Sequence, residues 1–116
     1  MGQVLLVDDD RAVLYALTEV LRERGHHVVA VTSGRDALAA LDQADAVLTD
    51  LAMPEMDGMQ LLSAALARDA TLPIVLLTAH GSERVAVSAM KAGAYDYLRK
   101  PFTIAELTAQ VRELLS

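Results

Sequence analysis

Three consecutive aspartates, Asp8, Asp9 and Asp10, follow the short apolar run Val4-Leu5-Leu6-Val7. A fourth, Asp50, closes a segment that begins Ala46-Val47-Leu48. Thr78 follows Ile74-Val75-Leu76-Leu77, and Lys100 precedes Pro101 and Phe102. Carboxylates brought together repel, and each raises its neighbours' pKa. A hard dication among the oxygens stabilises such a cluster. Few protein ligands in an open, polar crevice favour Mg²⁺ over Ca²⁺, and Mg²⁺ commonly shares its shell with phosphate. A lysine facing the acids can hold a phosphoryl oxygen as a point charge. A threonine hydroxyl can donate to another. A carboxylate can act as a nucleophile and become an aspartyl phosphate. Residues of these types fit phosphoryl transfer, which needs positioning and charge neutralisation more than elaborate acid–base chemistry.

That chemistry requires a fold that brings the four segments together. Val4–Val7 is wholly apolar, as a strand covered on both faces should be. From Asp10 the period changes: Val13, Leu14, Leu17, Val20 and Leu21 recur at helical spacing, and Gly25 is a stop. Val28–Val31 is a second strand, and Ser33 can cap a helix carrying Ala37, Leu38 and Leu41. Ala46 to Asp50 is the third strand. A turn-rich stretch from Leu51 to Gly58 leads to a helix with Leu61, Leu62, Ala65 and Leu66. Ile74–Leu77 is the fourth strand, and Glu83 to about Ala92 a short, modestly apolar helix. Ala94 to Arg99 is the fifth strand. Thr103 and Glu106 have capping-box spacing and open a last helix, with Ile104, Leu107, Val111, Leu114 and Leu115 predicted inward.

Strict alternation of strands and helices predicts an α/β fold: one doubly wound sheet of parallel strands with helices on both faces. In such a sheet the strand C-termini share one edge, where ligands bind. Asp8, Asp9, Asp50, Thr78 and Lys100 all fall there.

Composition narrows the function further. The chain has 116 residues, 10 Lys+Arg against 16 Asp+Glu, 53% hydrophobic residues, 3% aromatic residues and no cysteine. The length suits one domain of the usual roughly 100–200 residues, and the apolar content excludes a disordered chain. The lack of cysteine excludes a disulfide framework and a thiolate metal site, and suits a reducing compartment such as the cytoplasm. The acidic surplus argues against direct nucleic-acid binding by this domain. No apolar run approaches the ~18 residues of a membrane span, and no signal peptide opens the sequence.

The sequence resembles the receiver domain of two-component response regulators over essentially its whole length, 1–116. The matching segments are Val4 to Asp10, Leu48-Thr49-Asp50-Leu51-Ala52-Met53-Pro54 with Met56-Asp57-Gly58, Leu77-Thr78-Ala79, and Lys100-Pro101-Phe102. The resemblance implies the flavodoxin-like (βα)5 fold with strand order 2-1-3-4-5. It implies Asp50 as phosphoacceptor, Asp8, Asp9 and Asp50 as Mg²⁺ ligands, and the carbonyl of Ala52 completing the metal shell. Thr78 and Lys100 match the residues that hold the phosphoryl oxygens, and Lys100-Pro101 matches a cis peptide. Tyr97 matches a switch position coupled to Thr78. The implied donor is a sensor histidine kinase. The implied readout is the surface of the fourth helix, fifth strand and fifth helix, acting on an output domain or effector outside this chain, with a phosphorylation-dependent homodimer left open. Thr78 to Glu83 and Ala94 to Leu98 are most similar to receivers of NtrC-type transcriptional activators. Transcription regulation is the implied output, with a stand-alone phosphorelay receiver as the alternative. Ala52 and His80 match positions that influence phosphate lifetime.

Blander roles compete at several of these positions. Asp10 reads as a helix N-cap, Asp57 and Gly58 as a turn and helix start, and His26 and His27 as surface residues. Tyr97 also fits half-buried strand packing. A haloacid-dehalogenase-type phosphatase would use Asp8 as nucleophile, but Ala12 departs from that family's pattern and the chain is short for it. A flavodoxin-like electron carrier would place a flavin phosphate against three acids. A receiver acting only as a binding module would not need every one of these positions.

Overall fold

The computed structural model describes residues 2–79 and 83–115, so His80, Gly81 and Ser82 lie outside the described residues. Strands β1 (Gln3–Val7), β2 (His27–Val31), β3 (Ala46–Asp50), β4 (Ile74–Thr78) and β5 (Asp96–Arg99) alternate with helices α1 (Arg11–Glu23), α2 (Gly34–Ala40), α3 (Gly58–Arg68), α4 (Glu83–Lys91) and α5 (Ile104–Leu114). The strands form one sheet in the order 2-1-3-4-5, with every pairing parallel, as the alternation and the resemblance predict.

Strand alternation divides the core into two. Leu5, Val7, Val47, Ile74 and Leu76 pack on one face against α2, α3 and α4, through residues such as Ala37, Leu61, Leu62, Ala65 and Ala89. Val4, Leu6, Ala46, Leu48, Val75 and Leu77 pack on the other against Leu14 and Leu21 of α1 and Leu107, Val111 and Leu114 of α5. Central strands buried on both faces must be apolar throughout, which is why β1, β3 and β4 show no polar alternation.

Helix starts are fixed by side chains that satisfy orphan backbone N–H groups. Asp10 accepts from the N–H groups of Ala12 and Val13, and Ser33 from that of Asp36. Asp57 and Gln60 form a capping box at α3, and Thr103 and Glu106 another at α5. Gly25 ends α1 and Gly93 follows α4, both at positive φ.

Two sequence expectations change. Ile104 is 54% exposed rather than inward, because the buried stripe of α5 begins one turn later, at Leu107. β5 begins at Asp96 rather than Ala94, since the chain is still leaving the Gly93 turn and only the Tyr95 N–H reaches the Ile74 carbonyl. β2 is an edge strand, as the implied strand order requires, and its Ala30 is exposed.

Candidate functional site

The period-two pleat decides which strand-end residues meet. Val4 and Leu6 face the α1–α5 side of the sheet, and Asp8 is the next residue in that series. Ala46 and Leu48 do the same for Asp50, and Leu98 for Lys100. The pleat continues past the strand ends: the Asp8 N–H donates to the Val31 carbonyl at 3.2 Å and the Lys100 N–H to the Thr78 carbonyl at 2.8 Å. Three strands therefore deliver two acids and a lysine to one side of one edge. Asp9 joins from the loop after β1. One carboxylate oxygen from each of Asp8, Asp9 and Asp50 lies within 4.8 Å of the others.

Lys100 spans buried Asp8 and partly buried Asp50. Its Nζ lies 3.2 Å from Asp50 Oδ1 and 3.5 Å from Asp8 Oδ2. Asp8 is 2% exposed, and its Oδ1 accepts the Asp10 N–H at 2.9 Å. Its Oδ2 is buried with no hydrogen bond, having only the long ion-pair contact. Burial pushes the Asp50 carboxyl above its ordinary range. Lys100 pulls it back through charge and a hydrogen bond, but Asp8 and Asp9 add to the rise, and the net direction is up. For Lys100, burial lowers the pKa, yet attraction to Asp50 and Asp8 outweighs it and the ammonium is held above its ordinary range. Three carboxylates against one ammonium leave two negative charges unbalanced. That excess equals the charge of one divalent cation. An all-oxygen donor set with an unsatisfied buried oxygen fits a hard ion such as Mg²⁺.

Thr78 lies on the opposite face. It follows Ile74 and Leu76 in alternation and is 2% exposed. Tyr97 is paired in register with Leu76, one pleat before the Thr78–Arg99 pair, and packs half-buried against the α2–α3–α4 core. Ala52 is exposed in the loop between β3 and α3. The Lys100–Pro101 peptide is cis. Asp10 and Asp57 are both engaged as helix caps; His27 is exposed as expected, whereas His26 is half-buried with its Nδ1 out of solvent.

Two features were not legible as site residues in the sequence. Gly58 reads there as a turn residue, but its role is close approach: a Cβ at this position would lie 2.7 Å from the Asp50 carbonyl oxygen and 2.9 Å from Leu51 Cα. Thr49 enters there only as part of the third strand and of the segment Leu48 to Pro54, but its hydroxyl donates to the Asp50 carbonyl at 3.0 Å. The available signal was a lone hydroxyl immediately before the acid in an otherwise apolar strand.

The sequence profile of the response regulator receiver domain matches residues 4–112. The chain belongs to this receiver family. This receiver is 43% identical over 115 residues to the response regulator MprA of Mycolicibacterium vanbaalenii, covering 97% of this chain and 50% of that protein. It is 42% identical to the C4-dicarboxylate transport transcriptional regulatory protein DctD of Pseudomonas aeruginosa, covering 97% of this chain and 25% of that protein. The receiver thus spans about half the length of one relative and a quarter of the other. A receiver domain protein from Clostridium thermocellum superposes with a TM-score of 0.95 at 29% identity, covering 99% of this chain and 94% of that one. No helix among the described residues is long and apolar enough to cross a membrane.

Proposed function

We propose that this receiver is a cytoplasmic phosphoacceptor switch in which Asp50 takes a phosphoryl group from a phosphohistidine of a sensor histidine kinase. The observation that carries this reading is the convergence of Asp8, Asp9 and Asp50 within 4.8 Å, with the Lys100 ammonium 3.2 Å from Asp50. An Asp50 carboxylate oxygen attacks phosphorus, the phosphorus–nitrogen bond breaks, and the imidazole nitrogen departs with the electron pair and takes a proton from solvent. The product is an acyl phosphate on Asp50. Asp8, Asp9, Asp50 and the Ala52 carbonyl would hold Mg²⁺, which when bound neutralises charge on the transferred group. Lys100 exchanges its contact with Asp50 for a phosphoryl oxygen. The Thr78 hydroxyl donates to another.

The switch reading is supported on the far face. Thr78 and Tyr97 lie on the same side of neighbouring strands, so a shift of Thr78 toward the phosphoryl group frees space on the Tyr97 side. The buried anchors of α4 are Ala86 and Ala89, while Val85, Val87 and Met90 are exposed. Burial of two methyl side chains holds a helix weakly, since stabilisation scales with apolar area removed from water. Met90 of α4, Tyr95 just before β5 and Ile104 of α5 are exposed large apolar or aromatic side chains, which suits contact of these elements with an output domain, an effector or a second copy. Transcription regulation is the output that the relatives' names suggest.

Incubation with acetyl phosphate and Mg²⁺, followed by intact-mass measurement, tests the reading. The expected result is gain of one phosphoryl group, abolished by EDTA and by Asp50→Asn. Equal labelling of the Asp50→Asn protein would sink the assignment.

A further inference from the structure

The buried polar side chains among the described residues are Asp8, Thr18, Thr49, Thr78 and Thr108. Asp8 and Thr78 belong to the site. Thr108 bonds back to the carbonyls of Ile104 and Ala105 in its own helix. The Thr18 hydroxyl takes no partner. Thr49 differs from all of these. It directly precedes Asp50, is 0% exposed, and stands in register between Val7 of β1 and Leu76 of β4. Its hydroxyl donates to the backbone carbonyl of Asp50 at 3.0 Å.

Packing does not account for that hydroxyl. With apolar neighbours on either side, valine has the right shape and leaves no hydroxyl to desolvate. A buried hydroxyl with one neutral hydrogen bond adds little net stability. The peptide unit leaving Asp50 is held at its amide end by the Leu51 N–H, which donates to the Leu77 carbonyl at 3.0 Å, and the Thr49 hydroxyl holds its carbonyl end. Gly58 bounds the same carbonyl from another direction, leaving no room there for a Cβ.

We propose that Thr49 is a positioning residue for the phosphoacceptor, holding the Asp50–Leu51 peptide plane so that the Asp50 carboxylate and the Ala52 carbonyl keep their relative placement. This rests on Asp50 being the phosphoacceptor. A site of this kind loses rate when supporting groups let it loosen, even though no reacting atom is touched.

The test compares Thr49→Val and Thr49→Ser with the unaltered protein and Asp50→Asn, using acetyl phosphate, Mg²⁺ and intact mass over time. Thr49→Val is expected to melt no lower than the unaltered protein yet label about 2- to 10-fold more slowly, the span of one ordinary hydrogen bond. Thr49→Ser, which keeps the hydroxyl, is expected to label at the unaltered rate. In metal-free protein the ¹³C resonance of the Asp50 carbonyl should move in Thr49→Val and not in Thr49→Ser. Full-rate labelling of Thr49→Val overturns the proposal. So does slow labelling of Thr49→Ser, or a Thr49→Val protein that unfolds or melts lower, since the hydroxyl would then be structural. If Asp50→Asn labels like the unaltered protein, the phosphoacceptor reading falls and this proposal falls with it; a silent Asp50→Asn with a full-rate Thr49→Val removes the positioning role alone.

Discussion

Gly58→Ala sets two effects of opposite sign against each other. Gly58 opens α3, and its φ is not among the positive values of the chain, so no backbone strain requires glycine there. On helix propensity alone, alanine would stabilise by about 1 kcal/mol at an interior position, and less at a terminus. The added methyl, however, would lie 2.7 Å from the Asp50 carbonyl oxygen, 2.9 Å from Leu51 Cα and 3.3 Å from Leu76 Cδ2. The two nearest atoms are backbone, one of them in β3, so neither yields as a side-chain tip would. Overpacking of this kind costs about 1–3 kcal/mol, and sterics win. The expected net loss is about 1–2 kcal/mol, or roughly 4–8 °C in Tm for a domain of this size. The displaced atom belongs to Asp50, so phosphoryl labelling should slow as well. Gly34→Ala is the control, because there the methyl would meet Met56 Cγ and Sδ at 2.8 Å, the flexible part of a side chain. Thermal unfolding followed by circular dichroism reads both variants. A Gly58→Ala protein as stable as the unaltered one, or a Gly34→Ala protein that loses more, would refute the close-approach reasoning.

Further outcomes follow from the electrostatics of the site. The Asp50 carboxyl pKa is raised in the folded protein, mainly by burial, so its ionisation opposes folding: that cost is absent below the ordinary aspartate pKa and fully present above the raised one. In EDTA, Asp50→Asn should therefore melt above the unaltered protein at pH 7, with the gap closing as pH falls through the aspartate range; a gap that widens toward acid contradicts this. Lys100→Met removes the ammonium 3.2 Å from Asp50 and 3.5 Å from Asp8. After allowance for a lysine side chain that is 33% exposed, the metal-free protein should lose about 1–3 kcal/mol. Calorimetric titration should show tighter Mg²⁺ binding, because a competing cation is gone, while labelling falls by about 10²-fold. Unchanged labelling would remove Lys100 from the reaction.

The part of this protein written in its sequence is the part governed by local period. Wholly apolar runs separated by helical spacing determine the parallel α/β fold, and side chains at fixed offsets determine the helix starts at Asp10, Ser33 and Thr103. Because parallel strands all end on one edge, the sequence also places Asp8, Asp50, Thr78 and Lys100 on that edge before any distance is known. Tertiary structure decides what depends on neighbours far away in the chain. The point where the core begins under α5 leaves Ile104 in solvent. Pleat parity sends Asp8, Asp50 and Lys100 to one face and Thr78 with Tyr97 to the other. The contact of Gly58 with the Asp50 carbonyl arises only when the loop after β3 folds back. Period is a property of adjacent residues and can be read along a line, whereas burial and close approach exist only between segments that the fold has already brought together.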